Sequence, residues 1–146
     1  MGLKELFLQK GWAGRTISRE ETVDRLNPII RIMTEMLHRY AAVRDASDAD
    51  ERREIERVMK TLRADIGKMA ETVFSCGGTA YSGTELDPDD FAADSDGFMR
   101  VLEAEDAFAS ALAEEKDIEH QMRTRAILAK VAENHDDRMN LLRSHA

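Results

Sequence analysis

The sequence predicts an all-α protein: an antiparallel up-down four-helix bundle formed by residues 1–146 as one domain. Three features carry that prediction. Hydrophobic residues make up 42% of the chain and charged residues 34%, with aromatics at only 5%, a balance that suits amphipathic helices rather than strands rich in aromatic and β-branched residues. Apolar residues recur three and four positions apart over long stretches, the repeat that lines one face of a helix. Only residues 77–97 combine glycines, a proline and acidic residues in the manner of a long loop.

Residues 1–17 form a short N-terminal anchor segment. Leu3, Leu6, Phe7 and Trp12 give one side of it an apolar character, and Gly11 and Gly14 interrupt it. Packing on its own bundle or on a dimer mate accounts for such a segment; a membrane-surface or docking peptide is the competing reading. A first long helix starts at Ser18, where Ser18 and Glu21 have capping-box spacing, and runs to about Arg44. Val23, Leu26, Ile30, Met33, Leu37 and Tyr40 form its stripe. The stripe continues across Asn27-Pro28, so the helix is expected to run through Pro28 with a kink rather than to begin there.

The polar turn Asp45 to Asp48 leads into a second helix, Ala49 to Ser75, with a stripe of Ile55, Met59, Leu62, Ile66, Met69 and Val73. So short a connection makes the two an antiparallel hairpin. In the long loop 77–97, Tyr81, Leu86 and Phe91 are the large apolar anchors, and one short turn is expected at Pro88 to Ala93. Beyond it, Phe98 to Ala146 lacks glycine and proline, but its pattern changes phase. Phe98, Val101, Leu102, Phe108, Ala109 and Leu112 share one face; Ile127, Leu128, Val131, Met139 and Leu142 lie on a face rotated by roughly a quarter turn at about 100° per residue. A break near Glu114 to His120 reconciles the two and completes four helices. The alternative is one continuous helix that reaches another subunit.

Charge and cysteine usage narrow the function. A net charge of −8 opposes a phosphate backbone, so nucleic acid is not an expected partner. Cys76 alone cannot form an intrachain disulfide or a cysteine metal cluster, and its place at a helix C-terminus disfavours a catalytic thiolate. No run approaches the roughly 20 apolar residues of a membrane span, and no signal-peptide core is apparent, so cytoplasmic residence is expected.

The side chains able to carry chemistry are few. Glu35 and His38 have the Glu-x-x-His spacing of a metal-binding helix face, but fall away from the stripe centre, toward water or a partner. Glu105 falls at the centre of its stripe, where a carboxylate needs an arginine such as Arg100 or Arg123, or a metal. Tyr40 is a hydrogen-bond partner for it in either case. Glu119 lies close to the same line, and His120 and His135 are assigned to the apolar face of the last helix. Glu105, Glu119, His120 and His135 are therefore the candidate metal ligands, for iron, manganese or zinc, unless the histidines are hydrogen-bonded core residues. The second helix offers no carboxylate in its stripe.

Leu26-Asn27 early in the first helix, the hairpin, and a second helix ending in Gly77-Gly78 before Ser82-Gly83-Thr84 together resemble the first half of bacterial ferritin-like proteins, over about residues 20–84. The resemblance implies a four-helix bundle with a crossing loop, and a centre of two metals held by a glutamate on the first helix and a Glu-x-x-His on the second, repeated in the second half. This chain carries Asp65-Ile-Gly-Lys68 in the corresponding region and no Glu-x-x-His after Glu35-His38, so a standard di-metal centre is not expected. Two functions follow. One is a metal-free interaction or structural module that self-associates as a homodimer or larger homo-oligomer. The alternative is a ferritin-like metal-binding protein, an iron or manganese oxidase, store or carrier. No residue is assigned a catalytic role.

Overall fold

The computed structural model describes residues 15–92 and 96–145. The apolar anchor at Leu3 to Trp12 lies outside them. The described residues form four α-helices, α1 (Arg19–Asp45), α2 (Ala49–Ser75), α3 (Gly97–Glu115) and α4 (Met122–Ser144), together with a 3-10 turn at Pro88–Phe91, and no strand. None of these helices is long and apolar enough to cross a membrane.

The helix boundaries have local causes. The Ser18 hydroxyl accepts the Glu21 N–H at 3.1 Å and caps α1 as its spacing predicts. Pro28 has no N–H to give, yet α1 continues through it, held on both sides by buried Leu26, Ile29, Ile30 and Met33. Asp48 caps α2 by accepting the Glu51 N–H at 2.9 Å. At the other end Gly77 adopts a left-handed φ of +85°, and the Gly78 N–H returns 3.0 Å to the Val73 carbonyl, the hydrogen bond of a Schellman motif. The expected break before the last helix falls at residues 116–121.

α1 packs on α2 and α3, and α4 packs on α3 and α2. The core between them is aliphatic and methionine-rich, with Leu26, Met33, Met59, Leu62, Met69, Phe108, Leu112 and Leu128 fully buried. Particular pairs fix the levels. Arg25 meets Glu115 and Tyr40 meets Glu105 between α1 and α3; Glu54 meets His145 and Asp65 meets Asn134 between α2 and α4. The segment after α2 follows α1. Gly78 lies against Val23, Asn27 binds the Thr79 carbonyl and the Tyr81 N–H, and Phe91 stacks on His38 at 5.2 Å.

Two expectations need correction. His120 is not on the last helix but in the connector before it, two residues short of Met122. The second helix does contribute a buried carboxylate. Asp65 is 1% exposed, whereas Ile66, expected in the stripe, is only partly buried. Asp65 lies three residues after Leu62 and four before Met69, a helical spacing as good as that of Ile66.

Candidate functional site

The bundle interior contains one polar cluster to which every helix contributes. Val101, Glu105, Phe108 and Leu112 lie three or four residues apart on α3, so helical geometry carries Glu105 inward with its apolar neighbours. Its exposure is 0%. Four hydrogen bonds compensate for the lost water. Arg138 Nε donates to Oε2 at 2.6 Å and Nη2 to Oε1 at 3.0 Å; His135 Nδ1 lies 2.9 Å from Oε1; and the Tyr40 hydroxyl donates to Oε2. An ionised carboxylate only accepts, so His135 carries its proton on Nδ1. Beside this group, Asn134 Nδ2 donates to both oxygens of Asp65, at 2.9 and 3.0 Å.

Burial would by itself raise the Glu105 pKa. The hydrogen bonds of His135 and Arg138, the Arg138 charge and the Tyr40 hydroxyl outweigh it and hold the carboxyl below its ordinary range. Burial opposes the charge on Arg138 as well, but pairing with Glu105 carries its pKa upward. The Tyr40 phenol is pushed far up, first by burial and then by the negative charge of Glu105, so it remains a donor. Asp65 differs. Burial raises its pKa despite the Asn134 hydrogen bond and the positive charges of Arg138, Lys68 and Lys130.

A second cluster closes the end of the bundle. Arg25 Nε and Nη2 reach Glu115 at 2.7 and 3.2 Å, and His120 Nε2 lies 2.9 Å from the same carboxylate. Here too burial opposes and the hydrogen bonds of His120 and Arg25 prevail, so the Glu115 pKa is lowered. His120 is fully buried, with no hydrogen-bond partner at Nδ1. Glu105 and Glu115 are ten residues apart on one helix, about 15 Å at 1.5 Å per residue. The four residues singled out as ligands thus stand in two places: Glu105 with His135, and His120 with Glu115, adjacent to a buried Glu119. Among the described residues, no group of three or more histidine, cysteine, aspartate or glutamate side chains is disposed to hold a metal ion.

The donor set does not fit the iron or manganese that the ferritin-like resemblance implies. Both oxygens of Glu105 are engaged by the protein's own cation, and the His135 nitrogen facing them is protonated. Glu105 itself has no exposed surface. Surface grooves of about 270 Å³ between Met36 and Ala104, and about 360 Å³ beside His38 and Pro88, do not include Glu105 or His135 in their walls. The Glu35-His38 pair is used on the surface: Arg31 binds Glu35 at 3.0 Å, and His38 carries Phe91. Cys76 is a half-buried free thiol at the end of α2.

The chain matches no protein-family model, no curated protein and no solved structure. Sequence reasoning located Glu105 and Tyr40 and anticipated an arginine partner, but not the right one: Arg138 takes the role expected of Arg100 or Arg123. A signal was present, since Val131, His135, Arg138 and Leu142 continue one helical repeat on α4.

Proposed function

We propose that this protein is a metal-free helical-bundle interaction or structural module that self-associates through its N-terminal segment. The observation that carries this reading is the condition of Glu105: the most buried carboxylate is fully engaged in holding α1, α3 and α4 together. A group so bound has no lone pair directed at a substrate. Among the described residues, the large apolar side chains left exposed are Phe74, Met99 and Met122, at 62%, 58% and 70%. Ile17, the last residue of the N-terminal segment, donates its N–H to the Glu119 carbonyl at 2.9 Å, three residues from Met122.

The fold proposed with this function is a ferritin-like antiparallel bundle. Arg25–Glu115 and Tyr40–Glu105 imply opposite directions for α1 and α3; Glu54–His145 and Asp65–Asn134 imply the same for α2 and α4. With α1 and α2 joined by a tight turn, the order becomes up, down, down, up, and the segment 76–96 is the crossover. That order differs from simple up-down alternation and is the one expected of a single long connection. Cytoplasmic residence belongs to the same proposal, because the free Cys76 thiol suits a reducing compartment.

Light scattering on the full chain and on a chain lacking residues 1–14 tests the assembly. Conversion of an oligomer to a folded monomer supports exchange of the segment between copies. A full-length chain that is monomeric at high concentration removes the proposal.

A further inference from the structure

The outer face of α2 carries a charge opposite to that of the chain as a whole. Between residues 52 and 68 its exposed charged side chains are Arg52, Arg53, Arg57, Lys60, Arg63 and Lys68, against Glu56 alone, in a protein of net charge −8. Helical geometry produces this asymmetry. Ile55, Met59, Leu62 and Asp65 turn inward, and the positions between them hold the cations on the outer side. Glu54, another acid of this stretch, is engaged by His145 of α4. Arg53 pairs with Asp50 on its own helix, whereas Arg52, Arg57, Lys60 and Arg63 meet no carboxylate among the described residues.

The complement lies on the same chain. Residues 77–97 contain no lysine or arginine, and Glu85, Asp87, Asp89 and Asp90 are exposed. These acids have a fixed seat. Asp87 accepts the Asp89 N–H at 3.0 Å where the 3-10 turn begins, and Phe91 at its end stacks on His38 and lies 5.2 Å from the Arg39 guanidinium. Within one copy the turn therefore packs on α1 and not on α2.

We infer that the outer face of α2 is a docking surface for a second copy of this chain, which presents its acidic segment 85–90 to it. The inference rests on the self-association reading and adds a contact that does not involve residues 1–14. α2 and the 3-10 turn both flank α1, so a two-fold axis beside α1 lets each copy's α2 meet the other's turn, and the contact is made twice. Both copies are acidic, but salt screens their mutual repulsion beyond about 8 Å, while the opposite charges attract at contact. A nucleic acid fits less well, because its whole length would face the acidic remainder of the surface.

The test uses the full chain and the dissociation constant of its dimer, from sedimentation equilibrium over a range of concentrations. Lys60→Glu/Arg63→Glu reverses the face, and Asp89→Lys/Asp90→Lys reverses the segment; all four positions are exposed, and circular dichroism checks that each variant is folded. Should either fail to fold, Lys60→Gln/Arg63→Gln and Asp89→Asn/Asp90→Asn carry the same test with smaller changes. Each reversal should weaken the dimer about tenfold or more, since it turns attraction into repulsion at both symmetry-related contacts. The two variants shift the net charge in opposite directions. A dimer governed by net charge alone would be tightened by Asp89→Lys/Asp90→Lys, and that result overturns the inference. An equimolar mixture of the two reversed variants should form a heterodimer of near-native affinity, because both contacts then join opposite charges again. A mixture that stays monomeric overturns the inference, as does a native dimer whose affinity neither variant changes. Heparin binding that Lys60→Glu/Arg63→Glu abolishes without weakening the dimer assigns the face to an acidic partner and overturns it too. Deletion of residues 1–14 is read separately: a charge-sensitive dimer that survives the deletion sinks only the N-terminal route, and a charge-insensitive dimer that the deletion abolishes sinks only this inference. A native chain that is monomeric throughout removes both.

Discussion

Arg138 and Glu105 form a fork-to-fork ion pair between α4 and α3, with the arginine 2% exposed and the glutamate not at all. Taking both charges out of water costs several kcal/mol each, and their attraction offsets this only because the geometry is bidentate and Tyr40 and His135 satisfy the remaining acceptor sites. An aliphatic pair in the same place would hold the helices as firmly. What the ion pair adds is register: sliding α4 by one turn along α3 would leave two unpaired buried charges, a far larger cost than the loss of some packing.

Glu105→Leu or Arg138→Met alone should therefore destabilise the protein by about 3–5 kcal/mol, since each leaves one buried charge without its partner. The double variant should cost less than the sum of the two, by about 1–3 kcal/mol, because neither charge is then present. Urea denaturation of the four proteins measures this coupling. Additive losses would mean that the pair does not act as a unit.

The pH dependence should have two opposed parts. Glu105 and Glu115 lie below the ordinary carboxylate value of 4.5, so the stability they contribute is complete above it and is lost as pH falls through their folded-state values. Asp65 is raised above 3.8 by burial, so it costs stability while ionised, and that cost disappears as pH falls through its folded-state value. Stability should thus hold or rise slightly on mild acidification and then drop. Glu105→Gln should make the acid drop shallower, and Asp65→Asn should remove any rise. Denaturation curves from about pH 7 to about pH 3 distinguish the two contributions.

Much of this architecture was legible in the chain because its causes are local. Ser18, Asp48 and Gly77 mark helix ends by their own side-chain or backbone chemistry, and the stripes on α1 and α2 repeat for several turns. Glu105 could be identified as buried for the same reason. Its partner could not, because Arg138 is 33 residues away in sequence and meets it only after α3 and α4 pack. Burial of Asp65 is hidden in the sequence because a periodic pattern tolerates either of two adjacent positions, and Ile66 is the more apolar choice. The position of His120 outside a helix is hidden likewise, because the connector 116–121 has no glycine or proline to announce it.

Leu62 tests the packing rather than the charges. It has no exposure and sits mid-way along α2, so truncation to alanine leaves a cavity that rigid helix backbones close only in part. Leu62→Ala should cost about 2–5 kcal/mol in equilibrium unfolding. A neutral result would mean that the α2 stripe is not core.

The course of the chain after α2 depends on a close approach between Gly78 and Val23. A Cβ built on Gly78 would lie 2.6 and 2.7 Å from the two γ-carbons of Val23 and 3.2 Å from its β-carbon. Rotating the valine moves the γ-carbons but leaves its β-carbon in place, and a branched side chain on a helix has essentially one good rotamer. Gly78→Ala should therefore push the segment away from α1 and destabilise the protein by about 1–3 kcal/mol, the usual range for overpacking. Val23→Ala removes both γ-carbons, so the Gly78→Ala/Val23→Ala protein should be more stable than Gly78→Ala alone even though it has lost a partly buried valine. That reversal of sign is the decisive measurement. If the second substitution merely adds its own loss, steric contact with Val23 is not what selects glycine at position 78.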